Sequence, residues 1–571
     1  MSGEDSGDVT RDSGSQEHAR QTAMKEKRTM HTNYFKAILK RTAQGLAILS
    51  FATAAYGQQQ INLTAAPTTA TMPDGTAVPM WGYTCGALVS GSTATCAALN
   101  PASVTTAATA LAAAVGTWSP VVITVPVGAT GGLQINLTNG LTFTPLGTTT
   151  PNTIPTSIVI VGQVGGGLGS SRTTTASPSH QYAQACPSWF IAANPPGTPC
   201  TTSTPGISNT PPNQGPRVQS MSTEVTAGTT TPLTWSLLKP GTYLLESGTH
   251  PSIQVPMGLI GVLVVTTAPS GTTAGTAYPG VTGATTATTV PAVQYNAELP
   301  LEFSEIDPVQ NAAVYTAVNT AGFSETRVWS GLPTDPQGNP GCGNPASTTT
   351  YHTCYPPAVN YTPFYFLING VAFNKTGAST SLFAATSGTA ASPITGTVLA
   401  RLVNAGLRMH VPSIVGSQTT GFSGAGQAAT VAGFTLIAED GNPVPGVQVA
   451  GATTVPAAPR VQTDVFMAAG KVFDVMFNVP TPTGGTTPPS LAIFARDLGL
   501  SGDSSTRDAG MIAYIGVNGA GLPVAQGTGV FAAAQANPDI YDSLVAGQPF
   551  VAVLVPAATF AAMAAAEVFA Q

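Results

Sequence analysis

Residues Gly241 to Val265 read GTYLLESGTHPSIQVPMGLIGVLVV and carry the strand signal from which the fold of this chain can be worked out. The two ends of the stretch are rich in aromatic, Leu and β-branched side chains, which favour strands. The middle, with Gly248, Pro251 and Pro256, has the residues that favour turns. The stretch therefore predicts a strand, a tight exposed turn and a second strand.

This stretch resembles the end of the first cupredoxin domain of multicopper oxidases. In that family the sequence at this place reads Gly-Thr-x-Trp-Tyr-His-Ser-His, then a Gln, then Gly-Leu-x-Gly and a run of Val and Ile. The matching residues are Gly241, Thr242, Gln254, Gly258, Leu259 and Gly261. The two histidines that hold copper in the family fall here on Glu246 and Gly248.

An earlier stretch resembles the other copper motif of that domain. Residues 156–162 read TSIVIVG, where the family has Ser-Ile-His-x-His-Gly, so the histidine positions are Val159 and Val161. Two further stretches resemble the family's middle domain: residues 398–406 its Arg-x-x-Asn-Ala-Gly, and residues 469–475 its Ala-Gly-x-x-x-Asp-Val. The resemblance implies the family's fold without these copper ligands.

The order of these motifs predicts an all-β chain with two cupredoxin-like β-sandwich domains of Greek-key type, long loops and a C-terminal extension. The expected parts are an N-terminal extension and signal peptide (1–57), domain 1 (58–265), a linker rich in Thr, Gly and Pro (266–292), domain 2 (293–518) and a tail (519–571). The third copper-bearing domain of the family has no counterpart among the 54 residues after Val517, since a sandwich needs roughly 100.

The N-terminal part differs in composition from the rest. Residues 1–57 carry 14 of the 44 charged residues, and a basic segment precedes the apolar residues 45–55 and the small residues around Tyr56. This pattern is typical of a secretory signal, with Met24 or Met30 as other possible starts and an ordered extension as the alternative. The signal predicts a secreted protein, extracellular or at the cell surface, with the periplasm as the other destination.

The remaining chain is poor in charge. It has 11 Lys and Arg against 19 Asp and Glu, so it offers no basic patch for nucleic acid. It contains no uninterrupted run of 18 apolar residues, so we predict no membrane span. We expect self-association or other surface proteins as partners.

The six cysteines form three close pairs in loop-like sequence: Cys85 and Cys96, Cys186 and Cys200, and Cys342 and Cys354. In an exported protein this predicts three local disulfides, each worth roughly 2–4 kcal/mol. Six cysteines allow 15 connectivities, of which we expect the nearest-neighbour one. A zinc site is the rival interpretation, but the Cys-x-x-Cys spacing that it favours is absent.

Candidate copper ligands are few. The resemblance implies about ten histidines and one cysteine thiolate for a full oxidase, because copper prefers imidazole and thiolate. Beyond residue 57 the chain has four histidines: His180, His250, His352 and His410. Only His250 falls near a family copper position, and a turn histidine is its other interpretation. We therefore expect no copper or other cofactor and assign no catalytic residue.

Two other clusters contain residues of the kinds found in calcium-binding and phosphate-binding sites. Glu302, Glu305 and Asp307 lie close together, as either calcium ligands or loop-pinning acids. The Gly-rich residues 162–169 lack the Lys of a phosphate loop, which favours a flexible loop.

The tail contains an apolar segment at residues 549–556, PFVAVLVP. Its expected buried anchors are Phe550, Val551, Val553 and Val555. A lone apolar strand exposes unpaired backbone groups. The segment could fold back on domain 2, add to a neighbouring copy and so build a filament, or stay without structure.

The sequence thus favours an exported, multicopper-oxidase-like protein that is not an enzyme. The first interpretation is a structural or interaction protein at the cell surface, with a self-assembling filament subunit as one form of it. A copper-dependent oxidase of metal ions or phenols is the alternative, and a ligand-binding module is the second alternative.

Overall fold

The computed structural model describes residues 57–103, 117–167, 220–280, 291–321, 323, 361–385, 396–422, 428–444, 460–478, 490–502 and 509–522. Strands dominate these residues, so the predicted all-β class is confirmed. None of the helices in these ranges has the length and apolar character needed to cross a membrane.

In the first sandwich the described residues form eleven strands and a short helix. They are β1 (Gln59–Thr71), β2 (Ala77–Cys85), β3 (Thr95–Ala98), β4 (Val121–Pro126), β5 (Leu133–Asn139), β6 (Thr142–Phe143), β7 (Asn152–Thr153), β8 (Val159–Ile160), β9 (Thr230–Trp235), β10 (Gly241–Glu246), α1 (Pro251–Gln254) and β11 (Ile260–Thr266). Sheet I has the order β2-β1-β5-β9, and sheet II has the order β3-β4-β11-β10-β8. Strands β6 and β7 form a separate pair.

The described residues of the second sandwich form fourteen strands and two helical segments. They are β12 (Gly275–Tyr278), β13 (Val293–Ile306), α2 (Pro308–Val318), β14 (Tyr365–Ile368), a 3₁₀ helix (Lys375–Ser381), β15 (Leu382–Ala385), β16 (Gly396–Asn404), β17 (Pro412–Ile414), β18 (Gln418–Phe422), β19 (Ala428–Ala432), β20 (Phe434–Glu439), β21 (Asn442–Pro443), β22 (Val461–Gln462), β23 (Val472–Phe477), β24 (Leu491–Ala495) and β25 (Ile512–Val517).

Two main sheets form this sandwich. Sheet III has the order β12-β13-β16-β23-β20-β21, with β14 beside β13 and β22 beside β20. Sheet IV has the order β15-β25-β24-β17, and β18 pairs with β19. Each main sheet contains one parallel pair among antiparallel ones: β1–β5, β4–β11, β13–β16 and β15–β25. Parallel neighbours need a crossover connection, which here passes through the facing sheet.

The four main sheets stack as layers, and β11 shows why. Its residues are buried on both faces: Leu263 and Val265 enter the core between sheets I and II, while Val262 and Val264 enter a second core against sheet III. A strand covered on both sides needs a continuous apolar run, which is what the sequence has at this place. A third core lies between sheets III and IV.

Polar groups are also buried between sheets II and III. Arg401 of β16 and Asp474 of β23 are Cα partners and are 0% and 1% exposed. Nη1 of Arg401 donates to Oγ1 of Thr242 on β10 at 2.9 Å, and Thr242 donates to Oδ1 of Asp474 at 2.6 Å. Arg401 also binds Glu298 at 2.7 Å, and the Tyr278 hydroxyl donates to Asp474 at 2.6 Å. These five side chains are the interlayer network.

A strand lies within residues 266–292, which the sequence predicts as a linker. Residues 275–278 are β12, which pairs with β13 at the edge of sheet III. Ala277 and Tyr278 are buried there, so a segment read as loop from its Gly and Thr content contains two side chains that sheet III covers.

The disulfide Cys85–Cys96 is present, with Cα atoms 5.7 Å apart. The other two predicted pairs, the signal peptide and the four tail anchors lie outside the described residues.

Replacing Arg401 by Met should lower the free energy of unfolding by about 3–5 kcal/mol, because Asp474 is then left buried without its counter-charge. Lys471→Met is the matched control. It removes a partly exposed pair with Glu439 and Asp440, and exposed pairs contribute about 0–1 kcal/mol. Denaturant unfolding measures both. Equal losses for the two variants would contradict the role of the interlayer network.

Intact mass with and without reductant should differ by about six hydrogens, as three disulfides require. Peptide mapping should recover each neighbouring pair. A cross-linked peptide that joins two different pairs would show that the predicted connectivity is wrong.

Candidate functional site

The positions where the resemblance places copper ligands come together in the structure. Val159 on β8 and Glu246 on β10 are Cα partners in sheet II. Gly248 lies beside them, since an ideal Cβ built on it would sit 2.6 Å from Cγ2 of Val159. Val161 follows β8, donates its N–H to Leu244 at 2.9 Å, and keeps a side chain that is 40% exposed.

The donor set at these positions does not fit copper. Valine and glycine offer no ligand atom, and Glu246 offers one carboxylate where copper prefers imidazole and thiolate. Burial raises the pKa of Glu246 to about 7. Among the described residues no group of three or more His, Cys, Asp or Glu side chains is arranged to hold a metal ion.

His250 lies nearby at the turn before α1, with a left-handed backbone (φ 40°). Burial lowers the pKa of His250 to about 4, so the imidazole is neutral at neutral pH. Its carbonyl accepts the first backbone hydrogen bonds of α1, from Ile253 and Gln254 at 2.9 and 3.0 Å. These backbone hydrogen bonds support the interpretation of His250 as a turn residue.

Buried hydroxyl groups adjoin these positions. Ser157 lies two residues before Val159, and its Oγ is 2.9 Å from Oγ1 of Thr249 and 3.1 Å from Oγ of Ser220. Thr249 and Ser220 are themselves 3.1 Å apart. The three hydroxyls therefore have one another as partners.

Gln254, one of the family-matching residues, organises a second set of hydroxyls. Its Oε1 accepts from Thr156 at 2.8 Å and from Ser247 at 2.7 Å, and its Nε2 donates to the carbonyl of Pro155 at 2.8 Å. Gln254 is 1% exposed. It ties β10, α1 and the segment before β8 together, which is a structural task that requires no metal.

The three acids considered for calcium have separate roles. Asp307 caps α2 by accepting from Val309 and Gln310. Glu302 is fully buried, with Oε2 3.3 Å from the Ser304 hydroxyl and Oε1 without a hydrogen-bond partner among the described residues. Burial raises the pKa of Glu302 to about 8, so it is protonated at neutral pH.

Glu305 belongs to a cluster that the sequence did not indicate. Its Oε2 is 2.8 Å from Nε2 of His410, and its Oε1 accepts from the N–H groups of Leu407 and Arg408 at 2.6 and 2.8 Å. The other ring nitrogen of His410 is 3.0 Å from Oδ2 of Asp497. We call Glu305, His410 and Asp497 the carboxylate–histidine cluster.

The geometry of this cluster makes His410 a cation. An ionised carboxylate only accepts hydrogen bonds, so both ring nitrogens must donate. Burial alone would lower the pKa of His410, but the hydrogen bonds and charges of Asp497 and Glu305 outweigh it and raise the pKa to about 9. His410 is completely buried and no Ser or Cys nucleophile touches it in these contacts, so the cluster joins β13, β24 and the segment before β17.

No model of a protein family and no curated protein matches the sequence. Several solved structures are similar to the chain. The blue copper oxidase of Nitrosomonas europaea has a TM-score of 0.38 and 13% identity, over 81% of this chain and 86% of that one. The copper nitrite reductase of the same organism has a TM-score of 0.36 and 12% identity, over 82% and 98%. The laccase of Botrytis aclada has a TM-score of 0.34 and 14% identity, over 84% and 55%.

These structures are of the kind that the strand motifs predict, namely multicopper oxidases and their relatives. At these TM-scores the similarity supports no conclusion about the chemistry of this chain.

Raising the pH should destabilise the protein through His410. The pKa is about 9 in the folded chain and 6.5 ordinarily. The stabilisation is therefore fully present below about pH 6.5 and is lost as pH rises through about 9, on the order of 3 kcal/mol. His410→Gln should lessen the fall of the unfolding free energy between pH 6.5 and 9 and should flatten it between pH 8 and 9, as measured by denaturant titrations.

Glu302→Gln is the control for this pH dependence. Its folded pKa is raised from 4.5 to about 8, so its contribution is lost as pH rises through about 8. Glu302→Gln should therefore keep the natural chain's fall in unfolding free energy between pH 8 and 9. An unchanged slope over this interval in His410→Gln would contradict the assignment to His410.

Proposed function

We propose that this protein is an exported structural or interaction protein of the cell surface or extracellular space, which has the frame of a multicopper oxidase and works without copper. The observation that carries the proposal is the contact between Gly248 and Val159 beside Glu246. At the place where the family resemblance puts imidazoles, Val159 offers no ligand atom, and it lies so close to Gly248 that a Cβ there would sit 2.6 Å from Cγ2 of Val159.

The frame supports the same proposal. Thr242, Arg401 and Asp474 come from three of the motifs that carry the resemblance, and they meet in the interlayer network. Asn404, which lies in the same motif as Arg401, donates its side-chain N–H groups to the carbonyls of Arg408 and Met467. These matched residues hold layers and turns together, and such a task is independent of a metal.

A copper-dependent oxidase has less support, because Val159 and Gly248 supply no ligand. A ligand-binding module also has less support from the clefts that the described residues line. One, near Trp118, Glu305 and Tyr361, has room of about 10 Å³, and another, near Thr68 and Tyr83, about 20 Å³. That space holds a water molecule, whereas ligand pockets measure roughly 300–1,000 Å³.

Export and partners rest on the sequence. The signal-like residues 1–57 and the low charge of the remaining chain support a location outside the cytoplasm. Filament formation through Phe550, Val551, Val553 and Val555 is the alternative form of this interaction role and concerns residues outside the described ranges.

The purified protein should retain no stoichiometric copper after copper loading and desalting, and it should oxidise neither phenols nor Mn(II). Metal analysis and oxygen uptake measure the two properties. Finding two or more copper ions per chain would contradict the proposal.

A double substitution provides the positive control. Val159→His with Glu246→His places two imidazoles on directly opposite positions of paired strands, about 5 Å apart at Cβ. This variant should bind more copper than the natural chain. Equal, stoichiometric retention of copper by both proteins would show that the natural chain holds copper elsewhere.

A further inference from the structure

The outward faces of the two outermost sheets differ. On sheet I the outward positions of neighbouring strands β1 and β5 carry uncharged polar side chains. These are Gln60, Asn62, Thr64, Gln134, Asn136 and Thr138. A polar outer face is what a solvent-exposed antiparallel or mixed sheet normally shows.

Sheet IV has the opposite character. Along β24 and β25 the inward residues, Ile493 and Ile515 among them, are fully buried in the core against sheet III. The outward residues Phe494, Ile512 and Tyr514 are apolar or aromatic and only partly buried. Cross-strand pairing puts Phe494 directly opposite Ile512, so these side chains form one surface.

The surface continues across β17. Val411 and Val415 flank this strand on the outward side, and Val415 is 52% exposed. Residues 464–467 run beside them through the bridges Ser413–Asp464 and His410–Met467, which place Phe466 outward with 65% exposure. We call Val411, Val415, Phe466, Phe494, Ile512 and Tyr514 the apolar outer face.

The apolar outward faces of sheets II and III, as far as the described residues show them, are covered. The outward residues Ile260, Val262 and Val264 of sheet II lie under sheet III. The same holds in reverse for Val403 and Val472 of sheet III, which lie under sheet II. An apolar outer face left partly exposed at the end of such a stack marks a binding surface.

Charge indicates which partner fits. Arg496 and Asp464 form an ion pair at this face, with side chains 53% and 31% exposed. A twofold axis makes residue i contact residue j and residue j contact residue i. One cation and one anion on the face are therefore complementary to the same two charges of a second copy.

We propose that the apolar outer face of sheet IV binds the same face of a second copy of this chain. The two sheets stack face to face about 10 Å apart, as in a sandwich, and Arg496 of each copy lies against Asp464 of the other. This inference rests on the proposed interaction role and deepens it by naming the surface and the partner.

Charge reversal in two separate variants tests the pairing. Arg496→Asp leaves two acidic residues on the face, and Asp464→Arg leaves two basic residues. Each variant alone should associate at least about tenfold more weakly than the natural chain, because like charges then oppose each other. An equimolar mixture should regain the association, measured by sedimentation velocity on the full chains.

The mixture separates pairing from misfolding, since a variant that cannot fold cannot be rescued by mixing. Phe466→Asp should also abolish association. Leu146→Asp, at a fully exposed position of the first sandwich, should leave it unchanged. A monomeric natural chain, an unrescued mixture or a dimeric Phe466→Asp variant would overturn the proposal.

Deletion of residues 537–571 tests the tail as the rival occupant. Association that persists in the shortened chain supports the proposal. Association that disappears, or that appears only after the deletion, would overturn it, because the tail then makes the contact or covers the face. Copper retention, measured separately, decides the proposed function without bearing on this outcome.

Discussion

A buried arginine between two β-sheets is the constraint on which the rest of the structure depends. Arg401 has no water to solvate its charge, so Glu298, Asp474 and Thr242 must meet it within hydrogen-bond reach. Thr242 belongs to sheet II, while Arg401 and Asp474 belong to sheet III. Satisfying one guanidinium therefore fixes how two sandwiches lie against each other. Close approach at Gly441, where a Cβ would sit 2.4 Å from the Tyr243 hydroxyl, allows the layers to meet.

In this arrangement the layers are held by residues other than those at the positions where the resemblance places copper ligands. The apolar run of β11 serves two cores, and the interlayer network uses residues of the matched motifs. The copper positions, by contrast, lie at the end of β8 and β10, where Val159 packs against Gly248. None of these positions belongs to the interlayer network. The buried arginine and the positions where the resemblance places copper ligands are therefore separate parts of this chain.

The sequence predicts much of the frame because its signals are local. The Gly241–Val265 stretch forms β10 and β11 as predicted, and the motif order gives two sandwiches. The turn between the strands differs from the prediction, because it contains α1 and is mostly buried instead of tight and exposed. The carboxylate–histidine cluster could not be predicted, since His410 meets Glu305 across 105 residues and Asp497 across 87. No spacing rule brings such residues together. Strand β12 was missed because its Gly and Thr content is typical of loops, and only pairing with β13 buries Tyr278.

The central claim is that packing and the interlayer network hold the two sandwiches together as one metal-independent unit. Calorimetry with and without a copper chelator tests it most directly. The described sandwiches should unfold in one transition whose calorimetric and van't Hoff enthalpies agree, at the same temperature in both conditions. Two separate transitions, or a lower unfolding temperature with chelator, would contradict the account.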